Sequence, residues 1–183
     1  MPRIQPLDQG AAQPKSAELL VAIERQLGVV PNIFRTLAHA PSVLSAYLNF
    51  NKALGGGRLP VGLREQIALA VAGANHCGYC ASAHTSMAKE VGLDPRELGR
   101  NLNAKSEDPK TQALLTFVRK VVTAHGDVSD VDLAEVRSAG FSDGELVEII
   151  ANIAINIFTN YFNLIAETEV DFPVVDIEKA RAA

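Results

Sequence analysis

The chain has 183 residues, enough for one domain or for two small helical halves sharing a core. It is 48% hydrophobic and 21% charged, which excludes global disorder, and a net charge of −4 without a dense Lys/Arg stripe excludes a nucleic-acid surface. Aromatic residues make up 5% and tryptophan is absent, so the core is aliphatic, and its Ala-, Leu- and Ile-rich segments favour helix over a β-sandwich.

Residues 1–14 carry Pro2, Pro6, Gly10 and Pro14 with little periodicity and read as an extended arm. A single helical domain is expected over 15–172 and a charged tail over 173–183. Ser16 is the expected cap of a first helix that Gly28 stops, with Leu19, Leu20, Ile23 and Leu27 on one face. Pro31 and Pro41 each open a further helix. Gly55-Gly56-Gly57 reads as a flexible break, a connector or a hinge beside a pocket. Pro60 opens a fourth helix with Leu63, Ile67, Ala70, Val71 and Ala74 as its buried stripe. Gly73, in its last turn, fits a close helix contact or a bend.

A fifth helix is expected from about Cys77 to Val91, stopped by Gly92. Asp94-Pro95-Arg96-Glu97 reads as a capping box opening a sixth. Asp108-Pro109 opens a seventh, which Gly126 ends. Ser129 to Asp132 caps an eighth, ended by Gly140. Ser142-Asp143-Gly144-Glu145 is a further capping box opening the longest helix, to about Glu169. No segment alternates with period two, so the class is all-α, a bundle of about eight or nine helices.

Met1-Pro2-Arg3-Ile4 is not followed by an apolar h-region, so the expected location is cytoplasmic. The longest apolar run, 146–165, contains Glu148 and four asparagines, which argues against a membrane span. No haem, flavin or nucleotide motif occurs, and no cofactor is expected.

The chemistry concentrates in His76-Cys77-Gly78-Tyr79-Cys80-Ala81-Ser82-Ala83-His84, which holds both cysteines and two of the four histidines. At about 100° per residue, Cys77, Cys80 and His84 fall within about 60° on one helix face. Cys77 and Cys80 occupy the first turn, where unpaired N–H groups and the helix dipole favour thiolate. Such positions lower a thiol pKa from about 8.5 into the range of about 3.5–7.5. A CxxC pair also closes a disulfide with little backbone movement. His84 is suited to moving a proton, and Glu65, a carboxylate in an apolar helix, is suited to proton relay if partly buried. Competing readings are a metal site of Cys77, Cys80, His84 and Glu65, crowded for tetrahedral zinc; plain buried cysteines; and a thioredoxin-like motif, which needs a preceding strand.

Glu65, eleven intervening residues, then Cys77-x-x-Cys80-x-x-x-His84 resembles the signature of the alkyl hydroperoxidase D family within the carboxymuconolactone decarboxylase superfamily. The resemblance is strongest over residues 60–92. The upstream stretch from Leu27 to Asn32 resembles the peroxidase-related branch. The resemblance implies an all-helical fold and a thiol peroxidase acting on hydrogen peroxide or organic hydroperoxides. It implies Cys80 as the attacking thiol, Cys77 as the resolving one, and Glu65 and His84 as the proton relay. A lipoylated or thioredoxin-like protein is the implied reductant, and a trimer or a hexamer of dimers the implied assembly. The best-studied members carry histidine where this chain has Tyr79, and here His76 precedes the pair instead. Decarboxylase members lack the cysteine pair, which argues against lactone decarboxylation. Alternatives from other classes are a redox-sensing oligomer and a protein disulfide reductase.

His76 reads as a helix-boundary residue near the site, and Tyr79 as packing, a pocket wall or an accessory donor. His39 and His125 have no partner pattern. Asn152, Asn156, Asn160 and Asn163 form one stripe, either interhelical hydrogen bonding or a polar wall of the pocket. An offset of 83 residues sets Glu65 against Glu148 and Cys80 against Asn163, the mark of a degenerate helical repeat. A last helix apolar on nearly every side also predicts a homo-oligomer.

Overall fold

The computed structural model describes residues 1–182. One 3-10 turn, Gln9–Ala11, precedes ten α-helices: α1 Pro14–Leu27, α2 Asn32–Leu37, α3 Pro41–Gly55, α4 Val61–Ala74, α5 Gly78–Glu90, α6 Pro95–Leu102, α7 Pro109–Thr123, α8 Asp130–Ser138, α9 Asp143–Ala166 and α10 Ile177–Ala182. No strand occurs among the described residues, so the class is all-α, with one helix beyond the eight or nine expected. The extra helix lies in the tail. Ile177 is buried there, and Asn103 donates to the Ala180 carbonyl at 2.8 Å.

Two caps differ from expectation. Ser16 does not start α1: Pro14 occupies the first turn, where its missing N–H costs nothing, and Ser16 is buried and donates to the Ala38 carbonyl at 2.7 Å. Asp94 caps α6 through Arg96 N–H, but Glu97 does not close a box. Its carboxylate accepts instead from Ser106 Oγ at 2.8 Å and Glu107 N–H at 3.2 Å, partners the following turn brings closer. The boxes at Ser129/Asp132 and Ser142/Glu145 are both closed. Helix α9 stops at Ala166, three residues before Glu169, because Glu167 turns left-handed at φ 49°.

Helix α4 is the hub. From Gln66 to Gly73 it is buried on every side, not on one stripe. Leu69 and Ala72 belong to the core shared with α1, α2, α3 and α5; Ile67, Ala70 and Val71 belong to the core shared with α7, α8 and α9. Ile67, Leu69 and Val71 are wholly buried, each contributing about 1.5–3 kcal/mol of hydrophobic stabilisation. A Cβ on Gly73 would stand 1.8 Å from the Leu102 carbonyl oxygen, so the glycine is what lets the end of α6 lie on α4. Gly57 is likewise packed, not a free hinge. A Cβ there would lie 2.4 Å from Glu148 Oε2, in the carboxylate that accepts from Arg58 N–H at 2.8 Å and Leu59 N–H at 3.1 Å.

Helix α9 buries its asparagines beside Leu146, Ile149 and Ile153 and leaves other apolar residues outside. Asn152, Asn156, Asn160 and Asn163 are all buried, while Val147, Ile150, Phe158, Tyr161, Leu164 and Ile165 are exposed. By length and composition α9 could cross a membrane, yet half of its apolar window is buried inside the fold.

Candidate active site

The turn between α4 and α5 places the cysteines. His76 adopts φ 56°, its N–H reaches the Gly73 carbonyl at 3.4 Å and Cys77 N–H the Ala72 carbonyl at 3.0 Å. This is a Schellman ending, and it reverses the chain within three residues. Cys77 then caps α5, its Sγ accepting from Cys80 N–H at 3.3 Å. Both cysteines therefore sit in the first turn, as their spacing predicts, and they are joined as a disulfide. They are 1% and 3% exposed, so the sulfurs lie beneath the surface.

His84, one turn after Cys80 on α5, faces Glu65 on α4, with Nδ1 2.8 Å from Oε2. Both side chains are mostly buried but reach solvent, at 20% and 14% exposure. Burial in an apolar helix is costly for a lone carboxylate, and this contact meets that cost. On the far side, Asn163 of α9 points its Nδ2 at Cys80 Sγ, 3.5 Å away. The pair equated by the 83-residue offset is thus in direct contact.

Tyr79 lies between the cysteines in sequence, but its phenol is engaged elsewhere. Its oxygen accepts from Ile33 N–H at 3.3 Å, and its ring meets Phe172 edge-on at 5.7 Å. Burial pushes its pKa well up, and the hydrogen bond to the Asp171 carboxylate acts in the same direction. His76 meets Glu178 of α10 at 3.4 Å. His39 contacts the Gln5 carbonyl at 3.0 Å, holding the N-terminal arm. His125 is an exposed left-handed residue at the end of α7.

Tyr47 of α3 lies within electrostatic reach of Glu65, although nothing in the local sequence singles it out. Burial and the nearby charge of Glu65 push its phenol up to about 12. Its ring also walls an open groove of about 400 Å³ between α3 and α9, lined by Val43, Phe50, Ile155 and Phe158. Tyr47 and Phe158 are the middle pair of an aromatic ladder, Phe34–Tyr47–Phe158–Phe162, with centroids 6.0, 6.3 and 6.4 Å apart. Tyr47 is the wall residue of this groove that feels the charge of Glu65. Among the described residues no group of three His, Cys, Asp or Glu side chains converges as a metal cage.

Residues 41–107 match the model of the carboxymuconolactone decarboxylase family. No curated protein matches the sequence. Among solved structures, the chain is similar to an alkylhydroperoxidase AhpD core, an uncharacterised peroxidase-related protein from Ralstonia eutropha JMP134. The TM-score is 0.84 at 27% identity, over 93% of this chain and 92% of that one. A peroxidase-related protein from Silicibacter sp. TM1040 aligns with TM-score 0.79 at 24% identity, over 91% of both chains. The debrominase Bmp8, crystallised with 2,3,4-tribromopyrrole, shares the fold with TM-score 0.78 at 21% identity, over 98% of this chain and 95% of that one. The family match lies across the dithiol helices, so this chain is similar to the carboxymuconolactone decarboxylase family over residues 41–107 and shares its fold with an alkylhydroperoxidase AhpD-core, peroxidase-related protein over most of its length.

Proposed function

We propose that the protein is a thiol peroxidase that reduces organic hydroperoxides through its Cys77–Cys80 dithiol. The observation that carries this is the CxxC pair in the first turn of α5 with the Glu65–His84 couple one turn along. In the reduced protein, the Cys80 thiolate attacks the terminal oxygen of the hydroperoxide. The O–O bond breaks, Cys80 becomes a sulfenic acid, and the alkoxide leaves with a proton delivered through His84 and Glu65. Cys77 thiolate then attacks the sulfenic sulfur, forming the disulfide and releasing hydroxide, which is protonated to water. A dithiol reductant, lipoylated or thioredoxin-like, returns both cysteines to thiols in a reducing cytoplasm.

The apolar groove beside Tyr47 favours an organic hydroperoxide over hydrogen peroxide, since its aromatic walls suit an alkyl or aryl group. The exposed apolar residues of α9 outside that groove, Val147, Ile150, Tyr161 and Ile165, support a homo-oligomer, trimer or hexamer, in which a second copy covers them.

Replacing Cys80 by serine is expected to abolish turnover. Replacing Cys77 by serine leaves one sulfenylation without recycling. Full peroxidase turnover by Cys80→Ser overturns the assignment.

The same groove and the fold shared with a debrominase support a second reading, reductive dehalogenation. There the dithiol is oxidised to the disulfide while an aryl bromide gains hydrogen and releases bromide and a proton. Bromide release from a bromopyrrole, without hydroperoxide consumption, selects this reading.

A further inference from the structure

The four asparagines of α9 share one buried face but not one hydrogen-bonding habit. Asn152 donates to the Glu148 carbonyl and Asn156 to the Asn152 carbonyl, each at 2.8 Å, so both satisfy themselves on the preceding turn of their own helix. Asn160 accepts from Asn75 Nδ2 at 3.2 Å. Asn163 alone of the four turns its amide to sulfur, 3.5 Å from Cys80. It is 4% exposed, and its Oδ1 has no hydrogen-bond partner among the described residues.

A buried amide oxygen without a partner costs stability unless another state of the site supplies one. A disulfide sulfur offers no proton; a sulfenic acid on that same sulfur does. The N–H half of the amide, already aimed at sulfur, strengthens once the sulfur is anionic, because hydrogen bonds to charged groups are roughly twice as strong as neutral ones. The two ends of one amide therefore match two successive forms of Cys80.

The geometry points to Asn163 as a further catalytic residue of the dithiol site, its N–H holding the Cys80 thiolate and its Oδ1 accepting the hydroxyl of the sulfenic acid formed there. This rests on the peroxidase reading for the second half only; the first half concerns the reduced thiol, with no peroxide present.

The test uses the full chain in a Cys77→Ser background, so that Cys80 alone titrates. The Cys80 pKa is read from the pH dependence of ultraviolet thiolate absorbance. Asn163→Ala is expected to raise it by about one pH unit, the loss of one charge-assisted hydrogen bond. Asn163→Asp, nearly identical in shape, raises it further by placing a carboxylate beside the thiolate, and it serves should the alanine variant fail to fold. Asn156→Ala, on the same buried stripe but bonded within its own helix, leaves it unchanged. An unmoved pKa in both Asn163 variants, or an equal shift in Asn156→Ala, overturns the proposal. With an excess of an alkyl hydroperoxide, one equivalent forming the sulfenic acid and a second oxidising it with release of a second alcohol, mass spectrometry should find the sulfenic acid of Asn163→Ala advancing to sulfinic acid several-fold faster than in the parent; equal lifetimes overturn the role given to Oδ1. A shifted pKa with no sulfenylation of the parent sinks the peroxidase reading while leaving the N–H contact in place, so the two failures are distinguishable.

Discussion

Glu65 and His84 come from two helices, nineteen residues apart in sequence, and meet at 2.8 Å. The contact links the hub helix α4 to the helix that carries both sulfurs. It also leaves His84 Nε2 on the side of the ring away from the carboxylate, where it can exchange a proton while Glu65 fixes the tautomer and orientation.

Glu65→Gln and His84→Ala are each expected to lower peroxidase kcat by about a hundredfold or more, the usual contribution of a positioned acid–base group. The double variant should lose little more than either single one, because the pair acts as a unit. Stopped-flow turnover beside thermal unfolding checks this. Losses that multiply would mean the two side chains act independently.

Gly73→Ala tests the hub. Alanine gains about 1 kcal/mol of helix propensity over glycine. Against that, its Cβ meets backbone at 1.8 Å, and backbone cannot swing aside as a side chain can. Overpacking of this kind costs about 1–3 kcal/mol or more, so the net effect is destabilising. The urea midpoint should fall, and the Schellman turn into Cys77 should loosen with it. A higher midpoint would contradict the close approach of α6 to α4.

The exposed face of α9 predicts assembly. Val147, Ile150, Tyr161 and Ile165 recur at helical spacing on the side opposite the asparagines. Multi-angle light scattering should give a mass above that of one chain. Ile150→Glu combined with Ile165→Glu should give the single-chain mass, by placing charges on the apolar stripe. A monomeric wild type would refute the oligomer.

Acid stability should carry the mark of Asp132. Hydrogen bonds from Lys120 and from Ser129 hold its pKa to about 2. A free aspartate titrates near 3.9, so the unfolded chain binds this proton more readily than the folded one. The stabilisation is therefore complete above about pH 4 and is lost as pH falls toward about 2. Asp132→Asn should flatten the pH dependence of the urea midpoint across that window. An unchanged slope would show that the Lys120–Asp132 pair is not coupled to folding.

Much of the helical layout is written in local signals. Gly28 and Gly92 stop their helices in the left-handed region, and Ser129 and Ser142 begin theirs with closed boxes, because such signals need only neighbouring residues. Ser16 and Glu97 mislead for the opposite reason. Each has a cap-forming side chain at a plausible place, but a tertiary partner, Ala38 or Ser106, takes the hydrogen bond. The spacing of Cys77, Cys80 and His84 along one helix shows that they share a face. It does not show that the sulfurs lie beneath the surface, because the helices covering them are distant in sequence. Tyr47 is invisible for the same reason: its exposure to the charge of Glu65 depends on how α3 packs, and no local pattern reports that. The asparagine stripe is legible as polar, but only the fold shows that it faces inward and touches Cys80.

The most direct test of the dithiol chemistry is the intact mass of the fully reduced protein before and seconds after one equivalent of an alkyl hydroperoxide. The account predicts a loss of two hydrogen masses as Cys77 and Cys80 join, with one equivalent of alcohol formed. An unchanged mass, with the hydroperoxide still present, would contradict it.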